Sequence, residues 1–373
     1  MARIFMEGWE HEHIGTSEVN ATHTGNKQTG LMTNYTSTPD FGSRFKFSLS
    51  PVSYGQGKRS FRFEYSGHSN DSYNMSIYTD LGSDKEELYT RLNFRPEQIR
   101  PGEVADFFAI YETHDRGNEF IRLRTDDSST IKVFFASEQI GTFSVGNIIN
   151  NWSIIEVHAK RGSGDGLVEI KVNQELVFAV YGLTNTRYMR SIHIGQNNSR
   201  DNRYPHSDTV MFFDDLAVND TQGTNNNSWV GEGSICMLRP AQDGTFTDFD
   251  RIPIEKDTHE ILANRPFSEN EYIRSEGGVG NKASVKIEEV KNVLDQNFDY
   301  DITALGIYVT ARRSDGTAYI KLSKDSEESD AILLNTDLEN AAEQAIFQKS
   351  SGTFTEAEVE DGEYTVENAG QPE

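Results

Sequence analysis

Two adjacent carboxylates, Asp214 and Asp215, stand at the end of an apolar run near the middle of the chain. Carboxylate oxygens are ligands that hard cations prefer, so the pair is a candidate Ca²⁺ site. A structural alternative needs no metal, because one aspartate can cap a loop by accepting backbone N–H groups while the other is solvated. The alternative is the stronger one, so the sequence predicts no metal or other cofactor, with Ca²⁺ as the one candidate.

Aromatic and basic residues lie close together around residue 190. The candidate ligand-binding residues are Tyr188, Arg190 and Tyr204, with Tyr181 nearby. Tyrosine rings can stack on a sugar, and loops often carry binding sites. Tyrosine and arginine are also enriched at protein–protein interfaces. We favour the interface, and a glycan site stays open as the alternative.

The charge balance excludes some partners. The chain of 373 residues has 35 Lys and Arg against 59 Asp and Glu, a net charge of −24. Such a polyanion is repelled by nucleic acids and by anionic membrane surfaces. The single cysteine, Cys236, cannot form an intramolecular disulfide, which fits folding in a reducing cytoplasm. No N-terminal apolar segment predicts a signal peptide, and no apolar run approaches the roughly 20 residues of a membrane span.

Period-two patterns dominate the first 220 residues and predict β-strands. In residues 151–159, Ile155, Val157 and Ala159 share a face. In residues 167–172, Val168, Ile170 and Val172 share one face. Glu169 and Lys171 lie on the other face. A short polar turn then returns the chain through residues 176–180, which predicts a hairpin. Residues 210–218 are the predicted closing strand.

The remainder of the chain divides into a linker and a second domain. Residues 221–265 are rich in Gly, Asn, Thr and Pro, which predicts an ordered extension, with a possible strand over residues 229–238. Residues 266–373 predict a smaller β domain. Within it, residues 302–312 and 317–322 are a predicted hairpin. Residues 338–347 are a predicted helix, or alternatively a loop that feeds an edge strand.

These patterns resemble a known fold. The segments NW…EVH (151–158), GLVEIKVNQELV (166–177), IHIG (192–195) and FDDLAV (213–218) are similar to the second half of concanavalin A-like (laminin-G-like) jelly-roll domains. The resemblance implies an all-β protein, with a jelly-roll sandwich over residues 1–220, a linker or extension over 221–265 and a small C-terminal β domain over 266–373.

A narrower resemblance concerns the second half of the chain. The segments FDDLAVNDTQG (213–223), NNSWVG (226–231) and MLRPAQDG (237–244) resemble a group of virion proteins of tailed bacteriophages. The resemblance implies a structural virion protein, namely a head-decoration, neck, tail or fibre subunit that is made in the host bacterial cytoplasm and displayed on the virion surface. Its expected partners are other virion proteins and further copies of itself, with a trimer as the candidate oligomer. The alternative is a tail-borne, carbohydrate-binding host-recognition protein.

Jelly rolls of this type also include glycoside hydrolases, which need paired carboxylates facing one cleft. The E-x-D-x-x-E pattern of those enzymes is absent, and the nearest candidate, residues 358–363, lies in the acidic C-terminal segment. P-loop, GxSxG and HExxH motifs are also absent. The sequence therefore predicts that the chain is not an enzyme, with a polysaccharide depolymerase as the weakest of three alternatives.

Overall fold

The structure is a computed structural model that describes most of the chain. The described residues are 3–9, 19–20, 28–29, 32–36, 45–55, 57–65, 75–99, 104–113, 117–126, 130–196, 209–263, 270–276, 278–295, 300–311, 318–334 and 341–370. Within these ranges, none of the helices has the length and apolar character needed to cross a membrane. Contacts divide the chain into two compact units, with the main boundary between Ile235 and Cys236.

The first unit contains seventeen strands among its described residues. In chain order they are β1 (Arg3–Glu7), β2 (Val19–Asn20), β3 (Gln28–Thr29), β4 (Met32–Thr36), β5 (Phe45–Ser50), β6 (Ser60–Tyr65), β7 (Met75–Lys85), β8 (Glu87–Gln98), β9 (Val104–Tyr111), β10 (Glu119–Asp126), β11 (Thr130–Phe135), β12 (Glu138–Ser144), β13 (Ser153–Lys160), β14 (Gly162–Val172), β15 (Glu175–Asn185), β16 (Met189–Gln196) and β17 (Thr209–Asp220).

These strands form two antiparallel sheets that share one apolar interior. The first sheet has the order β15-β14-β13-β8-β17-β6-β5-β2, with β1 beside β17, and the second has the order β12-β11-β10-β9-β16-β7-β4-β3. Side chains from both sheets meet in one buried cluster. Phe94 of the first sheet stacks on Phe107 of the second, with ring centroids 4.2 Å apart. The predicted all-β jelly-roll sandwich is therefore confirmed.

The alternation between residues 153 and 172 decides which side chains face outward. Ile155, Val157 and Ala159 of β13 lie in the interior, as do Val168 and Ile170 of β14. The side chains between them must therefore lie on the outer face of the first sheet. Strands β14 and β15 form the predicted hairpin. Its turn residues, Asn173 and Gln174, have the positive φ angles (49° and 73°) of a type I′ turn.

The second unit is smaller and also built of β-strands. Its elements are β18 (Pro240–Thr247), β19 (Asp250–Ile252), α1 (Thr258–Leu262), β20 (Tyr272–Arg274), β21 (Lys282–Ile287), a 3₁₀ turn (Val290–Asn292), β22 (Leu305–Ala311), β23 (Tyr319–Lys324), β24 (Glu327–Glu328), β25 (Ile332–Leu333), β26 (Ala341–Phe347), α2 (Glu356–Glu360) and β27 (Tyr364–Ala369). A six-stranded sheet in the order β18-β21-β27-β23-β24, with β25 beside β23, packs against the β22–β26 pair through a small apolar cluster.

Two predictions for this unit are wrong. The predicted helix over residues 338–347 is strand β26 from Ala341 onward, and β26 pairs with β22 over seven residues. This pairing buries Ala345 and Phe347, so tertiary contacts outweigh the helix propensity of the alanine-rich segment. The predicted hairpin of residues 302–312 with 317–322 is also wrong, because β22 pairs with β26 whereas β23 pairs with β24, β25 and β27.

The contacts do not single out residues 221–265 as a linker. Residues up to Ile235 belong to the sandwich unit, and residues from Cys236 onward, including strand β18, belong to the second. The possible strand over residues 229–238 is not present, since this segment has no regular secondary structure.

Candidate functional site

The predicted calcium candidates lie inside the sandwich unit. Asp214 accepts hydrogen bonds from the backbone N–H groups of Asp215 and Tyr54, each at 2.8 Å. Asp215 accepts from the backbone N–H of Ile235 at 2.6 Å and from the Asn93 amide at 2.8 Å. Both aspartates are fully buried, so the expectation that one of them is solvated is wrong. Burial raises the pKa of Asp215 to about 6, and Arg91 opposes this shift.

These contacts give Asp214 and Asp215 a structural role. Four carboxylate oxygens each accept a hydrogen bond, and one of the donors is the backbone of Ile235 at the end of the unit. Buried carboxylates are stable only when such donors satisfy them. The absence of a metal, with Ca²⁺ at this pair as the one candidate, stays a prediction.

Of the three candidate ligand residues, the structure describes Tyr188 and Arg190, which have different partners. The Arg161 guanidinium lies over the Tyr188 ring, 3.8 Å from its centroid. Arg190 instead contacts Asp80 of β7, at 3.2 Å on the surface of the second sheet. Tyr204 lies outside the described residues. Tyr188 adjoins a cavity through its contact with Arg161.

That cavity is a cleft of about 330 Å³ at one rim of the first sheet. Four chain segments meet there, namely the start of β8, the end of β13 with the β14 turn, the residue after β15 and the residue after β17. The lining residues are Glu86, Glu87, Lys160, Arg161, Gly162, Ser163, Asp165, Thr186 and Thr221. The walls thus combine carboxylates, cations and hydroxyl groups. A cleft of this composition favours a hydrated, hydrogen-bonding ligand over an apolar one.

A tight turn shapes the floor of the cleft. Asp165 accepts a hydrogen bond from the Ser163 backbone N–H at 3.0 Å, and a Cβ at Gly162 would lie 2.2 Å from the backbone nitrogen of Gly166. Such a distance is far inside van der Waals contact, so position 162 requires glycine. Residues 162–166 form the irregular start of β14, where the register with β15 shifts.

One glutamate connects the cleft to a row of hydrogen bonds across the sheet. Glu87 lines the cleft, and its Oε1 lies 2.7 Å from Nε2 of His158 on β13. Nδ1 of His158 lies 2.8 Å from Glu169 on β14, and Glu169 accepts from the Tyr181 hydroxyl on β15 at 2.5 Å. The imidazole can donate to both glutamates only when both ring nitrogens carry hydrogen. We call these four residues the His158 row.

Aromatic rings pack over the His158 row. Tyr89 stacks on the imidazole with centroids 4.0 Å apart, and Trp229 meets both rings edge-on. The Lys171 ammonium lies 4.1 Å from the centroid of the Trp229 ring. Burial, reinforced by Glu87, raises the pKa of Tyr89 to about 12. The row is therefore shielded over His158 but reaches solvent at Tyr181 and at the cleft.

The outer face of the second sheet carries a different charge cluster, which we call the Asp106 cluster. Asp106 is fully buried and accepts hydrogen bonds from Arg122 at 3.0 Å and from Arg124 at 2.6 Å. Both guanidinium groups lie over the Phe134 ring, 4.0 and 4.9 Å from its centroid. Burial by itself would lower the pKa of Arg122, but Asp106 and Glu119 outweigh it and raise this pKa.

The second unit contains one group of metal-ligand types among its described residues. Asp243, Asp257 and His259 bring one ligand atom each within 4.8 Å of one another. Asp243 already accepts from the backbone N–H and from Nδ1 of His259, at 2.7 and 2.9 Å, and Asp257 contacts Arg251 at 3.1 Å. These contacts account for the group as an ordinary cap at the start of α1.

Sequence reasoning missed the His158 row. The alternation in β13 and β14 placed Glu169 on the outer face, and the same period places His158 there. The sequence does not show the strand register that brings these residues together. Glu87 lies 71 positions before His158, and Glu169 lies 11 positions after it. The pairing of His158 with both Tyr89 and Glu169 appears only when β8, β13 and β14 are aligned.

Comparisons with known proteins give similarity of structure only. No family model matches the chain, and no curated protein matches it in sequence. Among solved structures, it resembles a cellulose induced protein, Cip1, at 16% identity over 58% of this chain and 100% of that one, with a TM-score of 0.41. It also resembles alginate lyase vAL-1 from Chlorella virus, at 12% identity over 47% and 89% of the chains and a TM-score of 0.34.

A third similar structure is alginate lyase A1-II′, a member of polysaccharide lyase family-7, at 12% identity over 43% and 78% of the chains with a TM-score of 0.34. At these values the likeness concerns the β-sandwich fold alone. It still corrects one expectation. The prediction that the chain is not an enzyme, made from the absent E-x-D-x-x-E pattern, is contradicted, because several solved chains of similar fold are alginate lyases.

Proposed function

We propose that the protein binds a carbohydrate in the cleft beside Glu87. The observation that carries the proposal is the lining of this cleft, which consists of carboxylates, cations, hydroxyl groups and one glycine among the described residues. A carbohydrate presents a dense set of hydroxyl groups, each of which can donate and accept. Carboxylates accept such hydrogen bonds, lysine and arginine donate them, and threonine and serine do both.

The aromatic surroundings support the same ligand class. Tyr188 lies under Arg161 beside the cleft, and Tyr181, 61% exposed, ends the His158 row. Tyrosine combines an apolar face for a sugar ring with a polar edge. The charges at the cleft include both signs, with Lys160 near Asp165 at 3.9 Å and Arg161 near Glu86 at 3.9 Å. A neutral or mixed oligosaccharide suits such walls better than a strongly anionic one. The virion role stays a prediction from the sequence resemblance.

The test compares two glutamates of one strand. Wild-type protein and the variants Glu87→Gln, Thr186→Val and Glu97→Gln are applied to an array of neutral and acidic oligosaccharides, and each signal is followed by calorimetry. Loss of a charged hydrogen bond costs about 1.5–3 kcal/mol, so Glu87→Gln is expected to weaken binding about tenfold or more. Thr186→Val removes only a hydroxyl and weakens binding less.

Glu97→Gln is the matched control, because it makes the same change at the opposite end of β8, where Glu97 contacts Arg95 on the surface. It is expected to bind like the wild type. The proposal fails if no oligosaccharide binds, or if Glu87→Gln and Thr186→Val bind as the wild type does. Reducing ends are measured on every bound oligosaccharide, so that cleavage is detected alongside binding.

A further inference from the structure

Strand β15 is an exposed edge of the first sheet. It runs over eleven residues, Glu175–Asn185, and pairs with β14 on one side only within the described part of the chain. Leu176 is 53% exposed and Tyr181 61% exposed, and Ala179 between them is exposed as well. From Leu176 to Asn185 the strand has no charged residue and no proline. Such an edge leaves a row of backbone N–H and C=O groups without strand partners.

The other described edge strands carry features that oppose pairing or have shorter uncharged runs. Edge strand β12 has six uncharged residues after Glu138, β22 has seven, and β18 contains both Pro240 and Asp243. Strand β24 consists of only two residues, both glutamates. Charges, prolines and short length are the usual means by which edge strands are protected from association. After Glu175, β15 has ten residues without a charge or a proline, which is the longest such run among the edge strands that the structure describes.

We infer that β15 is the site at which a second copy of this chain pairs, antiparallel and edge to edge. One edge supplies the hydrogen-bonding groups for both copies, because a two-fold axis brings β15 of one copy antiparallel to β15 of the other. The charge of −24 repels two copies in general. An uncharged strand is the place where they can meet without opposing like charges. The pair would join two first sheets into one continuous sheet.

The consequence for binding is multivalency. Each copy carries its own cleft at the rim of the first sheet, so a dimer presents two clefts to one polymeric ligand. Two linked sites bind such a ligand more tightly than either site does by itself. The pairing does not depend on the proposed carbohydrate function, and its test measures mass rather than ligand binding.

The mass of the full chain is measured by light scattering and analytical ultracentrifugation over a range of concentrations. The wild type is expected to shift from 42.0 kDa toward twice that mass as concentration rises. Ala179→Lys and Leu176→Lys place a cation on the exposed surface of β15 and are expected to stay monomeric. Thr142→Lys makes the corresponding change on β12, at another exposed edge position, and is expected to dimerise like the wild type.

Hydrogen exchange gives a readout that needs no variant. Peptides covering β15 are expected to exchange more slowly at high protein concentration, while peptides covering β12 do not change. The circular dichroism melting curve of each variant confirms that it is folded. A wild type that remains monomeric at all concentrations would overturn the inference. So would a dimer that persists in both β15 lysine variants, or one that leaves exchange in β15 unchanged.

Discussion

The two outer faces of the sandwich carry charge clusters of opposite design. On the first sheet a potential cation, His158, lies between two carboxylates, whereas on the second an anion, Asp106, lies between two guanidinium groups. The side chains of Glu87 and Glu169 are 23% and 18% exposed, while those of Asp106, Arg122 and Arg124 are 0%, 5% and 7% exposed. The comparison teaches that similar hydrogen bonding suits a structural role where solvent is excluded and a binding role where solvent has access.

The buried Asp106 cluster tolerates substitution of its members poorly. Removing one partner leaves the others as uncompensated charges in a medium of low polarity, which is more costly than the pair itself is stabilising. A partly exposed cluster can exchange partners with water or with a ligand at lower cost. The His158 row reaches a cleft through Glu87 and solvent through Tyr181, so it is the one of the two that suits binding.

The largest expected effect is that of Asp106→Asn. The substitution leaves Arg122 and Arg124 buried beside a neutral amide, and we expect a loss of about 3–5 kcal/mol in the free energy of unfolding. All 3 tryptophans lie in the first unit, so tryptophan fluorescence during urea unfolding follows the sandwich by itself. Asp80→Asn is the control, since Asp80 and Arg190 are 35% and 45% exposed. If the two variants unfold at the same urea concentration, the proposed difference between the faces is wrong.

A smaller effect is expected for His158→Gln. Glutamine has both N–H donors on one nitrogen, unlike the two separated ring nitrogens that face the two glutamates, and it loses the stacking on Tyr89, so we expect destabilisation of about 2 kcal/mol at pH 7. His259→Gln is a matched control, because His259 contacts Asp243 in the second unit and should leave the fluorescence transition unchanged. A destabilisation as large as that of Asp106→Asn would show that the His158 row is as rigidly structural as the Asp106 cluster.

The smallest effect concerns pH and Glu169. Burial would raise the pKa of Glu169, but hydrogen bonds from Tyr181 and His158 outweigh it and hold the pKa below 4.5. A carboxyl group whose pKa is depressed on folding stabilises above its unfolded pKa and loses this contribution as pH falls through the folded pKa. Glu169→Gln is therefore expected to cost under about 1 kcal/mol at pH 7, and progressively less below pH 4.5.

The control for this prediction is Glu175→Gln, an exposed glutamate at the start of the neighbouring strand β15. Its effect on the unfolding midpoint should be small at every pH. If the difference between wild type and Glu169→Gln grows as pH falls, the assigned direction of the Glu169 pKa shift is wrong.

Local alternation was sufficient to predict strands and their buried faces, whereas the jelly-roll sandwich was implied by the family resemblance. The faces assigned to Ile155, Val157, Val168 and Ile170 are the buried faces, and the turn at residues 173–174 is where the hairpin reverses. Each of these features depends on a few neighbouring residues. The second unit was predicted less well, because the partner of β22 is decided by burial of Phe347, forty residues away, and not by the segment that follows it in sequence.

The candidate site shows the same limit. Tyr188 was identified by its residue type, and it does lie beside the cleft through Arg161. Glu87 was not identified, because nothing in its neighbourhood distinguishes it from the many other acidic residues of the chain. Its position depends on the alignment of β8 with β13, which joins segments 71 positions apart. Asp214 and Asp215 were identified by an adjacency that the fold uses for hydrogen bonds to backbone amides.

The segment that carries Trp229 determines where the sandwich can be separated from the rest of the chain. Its indole packs on Tyr89 and His158, the backbone of Gly231 contacts Glu156 and Arg91, and Ile235 donates to Asp215. A recombinant fragment ending at residue 220 would uncover these partners and leave buried polar atoms unsatisfied. A fragment that extends to residue 235 retains all of these contacts. It is therefore a better design than the shorter fragment for crystallising this unit with an oligosaccharide.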